Sequence, residues 1–422
     1  MKRKQNFKNK LAVITMALLL ASSSLYATDG YFGVGFGTKS NGMAGAGIAL
    51  FQNSLFGANN PAGLVFLGNK YGVSLAVFNP IRSYEITGNP SMYPGTFGLA
   101  PGKVESESNI FLMPALSGNW MLDESSAFNV SLFGNGGMNT DYPTATFHGN
   151  SPTGVNLMQM FGAFTYSRKL SDNWSVGLSA LAAWQSFEAK GLQAFAGFSM
   201  DGTKLTDNGA SSTLGLGGKL GIYGEITKGL TFGATYQTKI SMGEFDEYAG
   251  LFAEKGDFDV PATWTAGIAY EFIPQKLVFA FDVKQIFYSK VKSIANTMMS
   301  ATGPNFPMGA ETGAGFGWQD MTIIKAGFEF AATKDWTLRT GYSHGNNPVQ
   351  ASEVMFNILA PGVIDDHITL GFSKKMGKNE LNFAIVRALE NTVTGPNPME
   401  APGQQTIGLT MSQWIFEIGF TF

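Results

Sequence analysis

Apolar side chains alternate with small or polar ones along most of the chain beyond residue 70. In residues 174–184, Trp, Val, Leu and Ala occupy one set of alternate positions, and Ser and Gly dominate the other. Residues 230–237 and 336–343 alternate in the same way. Because successive side chains of a strand point to opposite faces of a sheet, each segment predicts a strand with one apolar face and one small or polar face.

We place about fourteen such strands, and bacterial membrane barrels have an even number. The predicted strands cover residues 70–78, 108–119, 127–135, 156–170, 174–189, 212–226, 230–241, 259–272, 277–290, 319–332, 335–344, 365–376, 380–392 and 407–422. Their connections alternate between turns of a few residues and long loops. Short turns on one rim and long loops on the other are typical of an outer-membrane β-barrel.

The composition supports the same fold class. Charged residues make up 14% of the chain and aromatic residues 13%, whereas soluble domains carry about 25% charged residues. Beyond the N-terminal segment, no apolar run reaches the ~18 residues of a membrane-spanning helix. We therefore predict an all-β protein, a transmembrane antiparallel barrel. The net charge of −3 and the lack of cysteines argue against nucleic-acid binding, disulfides and thiol chemistry.

The N-terminus predicts export. Residues 1–27 combine five basic residues, a short apolar core and a small-residue end, which indicates a signal peptide cleaved after Ala27. The alternative is an uncleaved anchor, although the apolar run is shorter than a membrane span. We predict residues 28–69 to be a hatch and residues 70–422 to be the barrel.

The predicted hatch is apolar, rich in Gly and Ala, and almost uncharged between residues 42 and 67. A barrel of this strand number has an open lumen unless something fills it. Pro61 restricts its own backbone, and Asn59 and Asn60 can hydrogen-bond locally, so a compact turn is expected there. The alternative is a disordered tail, which the low charge and high apolar content disfavour.

The sequence GTKSNGMAGAGIALFQNSLFGANNPAGL resembles the N-terminal hatch of the FadL-type family, the outer-membrane transporters of long-chain fatty acids and aromatic hydrocarbons. Further similar segments are FGNGGMNTDY, KLSDNWSVGL, DVPATWTAGIAYEF, LRTGYSHG and DDHITLGFS. The resemblance implies fourteen strands, a hatch built around Asn60, Pro61 and Ala62, and passage of apolar substrates.

The resemblance also implies a kink in the third strand that opens the wall sideways. The matching residues here are Gly134, Asn135, Gly136 and Gly137. Independently, closely spaced glycines weaken a strand and favour a bulge. The alternative is a plain flexible strand end.

Several long loops are apolar, and exposed apolar clusters usually mark a binding surface. Met and Phe together suit flexible hydrophobic ligands. The predicted binding cleft consists of Leu192, Phe195, Phe198, Met200, Met298, Met299, Phe306, Met355 and Phe356. The alternative is that these loops pack on one another as a lid, and both arrangements are compatible.

A fatty acid requires a cation near its carboxylate. Lys190 is the first candidate, followed by Arg339 and Lys325, which are predicted to face the lumen. In family members that take fatty acids, a basic residue lies slightly further along the loop, where this chain has Gln193 and Ala194. Because this chain lacks the basic residue there, neutral hydrocarbons remain an alternative cargo. The alternative for the charges facing the lumen is that they neutralise one another.

No catalytic residue, cofactor or metal site is predicted. His148, His344 and His367 lack the partners and spacing of a hydrolase triad and are expected in solvated loops. We predict a passive, monomeric uptake channel for long-chain fatty acids that releases its cargo sideways into outer-membrane lipid and lipopolysaccharide. The alternatives are an aromatic hydrocarbon channel, a lipid hydrolase and a surface receptor with a fixed plug. The C-terminal IFEIGFTF resembles a signal for the barrel assembly machinery.

Overall fold

The alternating segments form strands that close into an antiparallel barrel. The computed structural model describes residues 29–300 and 303–422, so the predicted signal peptide lies outside the described part. The fourteen barrel strands are β1 Lys70–Thr87, β2 Phe111–Asp123, β3 Ser126–Asp141, β4 Gly154–Lys169, β5 Trp174–Lys190, β6 Ser211–Thr227, β7 Leu230–Gln237, β8 Thr263–Ile273, β9 Leu277–Ile286, β10 Met321–Ala331, β11 Trp336–Gly345, β12 Asp366–Met376, β13 Asn379–Pro396 and β14 Thr406–Thr421.

Each barrel strand pairs with its neighbours in the chain, and the last strand returns to the first. β14 pairs with β1 in one register over the whole length of the contact, from Gly72 opposite Thr421 to Thr87 opposite Thr406. This pairing closes the barrel, so the backbone groups facing lipid are satisfied within the sheet. The predicted strand number is confirmed.

Three strands run further than the sequence predicts. β1 continues from residue 78 to Thr87, β3 from 135 to Asp141, and β13 from 392 to Pro396. In β1 the outward positions of this extension are mostly polar, as in Ser83 and Glu85, with Ile81 as the exception. The apolar alternation that marks lipid-facing strands is therefore lost, although the backbone pairing continues.

The outer face of the barrel is apolar in its middle. Leu178, Leu220 and Leu370 are exposed there, and Trp120 and Trp336 lie beside the short turns. Such an apolar band with aromatic residues at its edges suits a bilayer. None of the helices within the described ranges has the length and apolar character needed to cross a membrane.

The remaining elements are short. The α-helical turns are α1 Thr38–Asn41, α2 Ala253–Gly256 and α3 Lys292–Ala295. The 3₁₀ turns are Ser54–Ala58, Pro61–Phe66, Gln193–Phe198, Gly202–Lys204, Asp246–Tyr248, Tyr288–Lys290, Ala351–Glu353 and Phe356–Ile358. Short strands occur at Gly102–Glu105, Ser241–Met242, Met299–Ser300 and Gly303–Pro304.

Residues 29–69, called the hatch below, lie inside the barrel and are mostly buried. The turn Ser54–Ala58 packs against β2 and β3, and Pro61–Phe66 packs against β4, β5 and β6. The helix α1 contacts β12, β13 and β14 on the opposite side. The hatch therefore bridges the lumen. Above it, the long loops pack with the upper end of β5 into an apolar layer, which contains Phe195 and Phe252 of the loops and Phe187 of β5.

Candidate functional site: a gap in the barrel wall

The third strand contains a bulge at the glycine-rich segment. Gly134 pairs with Met160 of β4 and Gly136 pairs with the adjacent Gln159, so Asn135 is an extra residue on β3. A bulge bends its strand and interrupts the ladder locally. The kink expected from the resemblance is present at these residues.

The bulge coincides with the end of the pairing between β2 and β3. The last pair on this side is Ala115 with Phe133, and from residue 134 onward β3 pairs only with β4. Pro114 follows Ala115 towards the gap and has no backbone N–H to offer a neighbouring strand. The wall is therefore unpaired between β2 and the upper part of β3.

The start of the hatch occupies the inner side of this gap. Phe32 and Gly136 form an antiparallel bridge. The N–H of Gly33 donates to the carbonyl of Asn135 at 2.8 Å, and the N–H of Gly137 donates to the carbonyl of Tyr31 at 3.2 Å. The segment 31–33 thus acts as a short replacement strand that covers the missing pairing.

Only glycine fits at position 136. Its φ is +152°, and a Cβ there would lie 1.7 Å from the carbonyl oxygen of Tyr31. At Gly134, by contrast, the nearest atoms to a built Cβ are 3.9 Å away, on Gln159 and Met113. Gly136 therefore allows the hatch backbone to approach the strand, and Gly134 leaves open space in the gap.

A cavity of about 310 Å³, called the gate cavity below, runs through this gap. Its inner lining includes Tyr31, Phe32, Met138, Leu157, Trp318, Met411 and Ile415, and its outer lining includes Leu112, Pro114, Met158 and Met160. Leu112 is 65% exposed and Met160 is 46% exposed on the outside of the barrel. The cavity therefore opens onto the lipid-facing surface through the gap, and the hatch residues Tyr31 and Phe32 form part of its apolar inner wall.

A buried ion cluster holds the first described residue of the hatch. The Oδ2 atom of Asp29 lies 2.6 Å from Nζ of Lys284 and 2.9 Å from Nζ of Lys325. Lys325 also donates to the carbonyl of Val34. Burial disfavours the charged carboxyl, but the two lysines outweigh it and hold the pKa of Asp29 below its ordinary value. The cluster anchors both ends of the segment that covers the gap.

The Asn60, Pro61 and Ala62 segment is fastened to the opposite wall. The side chain of Asn60 accepts from the N–H of Ala62 at 3.0 Å and donates to the carbonyls of Ile48 and Ile222 at 2.9 and 3.2 Å. Two wall serines, Ser167 and Ser175, donate to the carbonyl of Ala62 at 2.7 Å each. This part of the hatch is thus bound by several polar contacts.

The structure brings only some of the predicted cleft residues together. Leu192, Phe195 and Phe356 line a small apolar cavity among the outer loops. Phe198 and Phe306 stack with ring centroids 4.9 Å apart at the surface, next to the exposed Met200. Met298 and Met355 are instead fully buried in the loop layer, and Met299 is partly buried beside it. The apolar loops therefore form both a lid and an exposed aromatic patch.

The three head-group candidates lie away from the gate cavity. Lys190, at the end of β5, lies 3.6 Å from Glu188. Arg339 is bound to Glu329 at 2.7 Å, and Lys325 is bound to Asp29. Arg339 and Lys325 therefore already have carboxylate partners in the lumen.

The lumen charges mainly bind the hatch. Asp282 accepts from the backbone N–H groups of Gly47 and Ile48 at 2.8 and 2.9 Å, and Glu417 accepts from Asn41 at 2.6 Å. Of the charges that the sequence places on the lumen face, the pair of Arg339 with Glu329 does show mutual neutralisation. Asp282 and Glu417 are instead partnered by hatch groups. The alternation of residues along a strand cannot reveal such partners.

Arg82 was not singled out by the sequence because β1 was expected to end at residue 78. Continuing the alternation along NPIRSYEIT places Arg82 on the inner face, where it is buried and lines the gate cavity. Tyr31 and Gln159, also missed, line the same cavity. Arg82 could have been found by continuing the inward and outward alternation of β1 beyond residue 78.

His367 is buried on β12, which corrects its expected position in a solvated loop. Its ring contacts the hydroxyl of Ser343 at 3.2 Å and the amide of Gln413 at 3.4 Å. Ser343 is itself fully buried, and no carboxylate in the described ranges forms a hydrogen bond with this ring. The pair therefore lacks the acidic partner and the access that a serine nucleophile uses.

Comparison with known proteins supports a transport fold. Residues 24–362 match the family described as outer membrane protein transport protein (OMPP1/FadL/TodX). No curated protein matches the chain. The Pseudomonas putida toluene transporter TodX is 21% identical, with a TM-score of 0.66, and the match covers 92% of this chain and 98% of that one.

Two further solved structures have the same architecture. A Pseudomonas aeruginosa FadL homologue is 17% identical with a TM-score of 0.68, covering 93% of this chain and 99% of its own. The Ralstonia pickettii toluene transporter TbuX is 20% identical with a TM-score of 0.61, covering 92% and 98%. The family match spans most of the sequence, and the barrel, hatch and wall gap accompany it. This chain belongs to the OMPP1/FadL/TodX family of outer membrane transport proteins.

Proposed function

We propose that this protein is a passive uptake channel that moves hydrophobic molecules from the cell exterior into the outer membrane. The observation that carries the proposal is the gate cavity, an apolar passage through an unpaired part of the wall that the start of the hatch covers on its inner side. The family match supports transport, and the likeness to toluene transporters and a FadL homologue supports a hydrophobic cargo. Export by the N-terminal signal peptide is part of this proposal.

The route begins at the outer loops. The exposed Phe198 stacks on the half-buried Phe306, and the apolar cavity lined by Phe195 and Phe356 lies among the same loops. Phe316 of that cavity lies 6.4 Å, centroid to centroid, from Trp318 of the gate cavity. Aromatic side chains thus connect the surface with the gate.

The driving force is apolar burial. Each CH₂ group transferred from water to an apolar environment contributes about 0.8 kcal/mol of stabilisation. An apolar tail is therefore stabilised when it enters the loops, and it stays stabilised when it moves into lipid. Sideways release avoids a second exposure to water. Energy input is therefore not needed for net movement down a concentration gradient.

Hatch segment 31–33 must leave the inner side of the gap for cargo to pass. It is held there by a bridge to Gly136, two backbone hydrogen bonds and the Asp29 ion cluster. The hatch is thus a movable cover at this end, whereas Asn60 and Ala62 are fastened to the opposite wall. A plug fixed throughout would leave the gate cavity closed on its inner side.

The test is uptake by cells from which this gene has been deleted. Labelled oleate and labelled toluene are supplied side by side, with and without the wild-type protein. The proposal expects the wild type to restore uptake of at least one of them. Oleate uptake identifies a fatty-acid channel, toluene uptake alone identifies a hydrocarbon channel, and uptake of neither would overturn the proposal.

A substitution in the wall gap tests whether the cargo is released sideways. Gly134→Trp places a large side chain in the gap, where a Cβ has 3.9 Å of clearance. Leu132→Trp is the matched control, because Leu132 lies on the same strand and is exposed to lipid. Gly134→Trp should block uptake while Leu132→Trp should not. Normal uptake through a folded Gly134→Trp barrel would contradict sideways release.

A further inference from the structure

The gate cavity contains one buried cation without an anionic partner. Arg82 is 5% exposed, and its guanidinium makes one hydrogen bond with the described residues, from Nη2 to the carbonyl of Ser108. Its Nε atom is buried and has no partner. Arginine stays charged in proteins, and burying a charge without a counter-ion is unfavourable. An anion is therefore the group that this position lacks.

Most buried cations of the described part do have a carboxylate partner. Lys39 binds Glu380, Lys325 binds Asp29, and Arg339 binds Glu329. Lys219 is also without one, but it donates to the carbonyl of Ala58 within the hatch. Arg82 differs because it lines the apolar path through the wall. A hydrophobic channel for neutral molecules does not need a guanidinium at that place.

The other polar side chains of this part of the lining are neutral. The buried hydroxyl of Tyr31 and the side-chain amide of Gln159 interact with each other, and Oε1 of Gln159 accepts from Nδ2 of Asn135 at 2.8 Å. The acidic residues nearest along the chain, Glu85 and Glu105, are exposed. The cavity thus presents donors and no carboxylate from the surrounding strand segment.

We infer that Arg82 holds the carboxylate of a fatty acid while the acyl tail lies in the gate cavity. The guanidinium keeps its bond from Nη2 to the carbonyl of Ser108, and its remaining N–H groups are the donors available to a carboxylate. The tail would contact the apolar lining, which includes Met138, Leu157 and Met411. This assignment rests on the proposed function and narrows its cargo to amphipathic anions.

A carboxylate and a phosphate both present anionic oxygens, so a phosphate could also bind a guanidinium. The experiment therefore measures equilibrium binding of labelled oleate and of labelled methyl oleate to purified full-length protein, with and without excess inorganic phosphate. The variants are Arg82→Met, Arg82→Lys and Arg387→Met. Arg387 is the matched control, because it lies over the ring of Trp414 at 4.9 Å and is absent from the cavity lining.

Arg82→Met should weaken oleate binding about tenfold or more, the loss expected for a hydrogen bond to a charged group. Methyl oleate binding should not change, Arg82→Lys should recover part of the oleate affinity, and Arg387→Met should bind like the wild type. Heat-modified mobility on a denaturing gel checks that each barrel has folded.

Equal binding of oleate by the wild type and a folded Arg82→Met variant would overturn the assignment while leaving transport intact. Displacement of oleate by inorganic phosphate would also overturn it, because the site would then select phosphate. If the wild type bound neither oleate nor its methyl ester, the proposed function itself would fail for these cargoes, and the assignment with it.

Discussion

Phe32 in the hatch and Gly136 in the wall are partners in one antiparallel bridge, although they lie far apart in the sequence. The bridge lies where β3 has lost its pairing with β2. The hatch therefore completes the wall at its weakest point, and small changes on either side of the bridge should open it. The chain has no cysteine, so a spin label on Gly33→Cys reports the mobility of this segment alone.

Gly136→Ala should release the segment from the wall. The new methyl group would meet the carbonyl of Tyr31 at 1.7 Å, so the bridge cannot persist in its present geometry. We expect the mobile fraction of the label to rise about tenfold, which corresponds to the loss of one or two hydrogen bonds at ~1 kcal/mol each. Gly134→Ala is the matched control and should leave the spectrum unchanged. An immobile label in Gly136→Ala would contradict the bridge.

Asp29→Asn should loosen the same segment more strongly. It leaves Lys284 and Lys325 without their shared carboxylate, and removal of one partner from a buried ion pair costs about 3–5 kcal/mol. The spin label measures the effect. Glu311→Gln is the control, since it removes an exposed salt bridge with Lys292. Exposed salt bridges contribute ~0–1 kcal/mol to stability. Equal spectra for the two variants would show that Asp29 does not anchor the hatch.

The ion cluster also predicts a pH dependence. Because the pKa of Asp29 is lowered in the folded protein, the cluster contributes its full stability above the ordinary Asp pKa of 3.8. That contribution is lost as the pH falls through the lower folded-state pKa. The label should therefore stay immobile at about pH 5 and become mobile only in stronger acid. Release between neutral pH and about pH 5 would be inconsistent with a lowered pKa.

Asn60→Ala should weaken the fixed side of the hatch. The change removes three hydrogen bonds, which we expect to reduce local stability by about 2–4 kcal/mol. Hydrogen exchange of the Ala62 amide measures this, because that N–H donates to Asn60. Asn59→Ala is a graded control that removes one bond, from Nδ2 to the carbonyl of Phe36 at 3.1 Å. Similar exchange in both variants would argue against a special role for Asn60.

Phe198→Ala should impair capture of cargo without affecting the barrel. Phe198 is 47% exposed and stacks on Phe306, so its loss removes one half of the surface patch. The substrate concentration for half-maximal uptake should rise about threefold to tenfold, with the maximal rate unchanged. Tyr93→Ala, on another exposed loop, should have no effect. A fall in maximal rate alone would place Phe198 at a later step.

Much of the fold could be read from local pattern. The strand number and the alternation of turns and loops follow from a period of two, which each segment carries independently of the others. The bulge was expected at the glycines of 134–137 and is present there. The ends of β1, β3 and β13 could not be read in this way, because the alternation of apolar with polar residues fades there although the strands continue.

The candidate site was less accessible to the same reasoning. Lys325 and Arg339 were correctly placed on the lumen face, yet Asp29 and Glu329 already occupy them. Asp29 could not be recognised from the sequence as the partner of Lys325, because the two residues are 296 positions apart. Arg82 was overlooked because β1 was expected to end at residue 78, although continuing the alternation places Arg82 on the inner face.

The sequence by itself determined a charge-poor chain of alternating strands with a glycine-rich segment before the first strand, because these properties are local and repeat along the chain. Only the tertiary structure decided which residues close the gap, which charges hold the hatch and which cation stays unpaired. Those outcomes depend on strands and hatch residues far apart in sequence that meet across the lumen, where burial makes each missing or present partner matter.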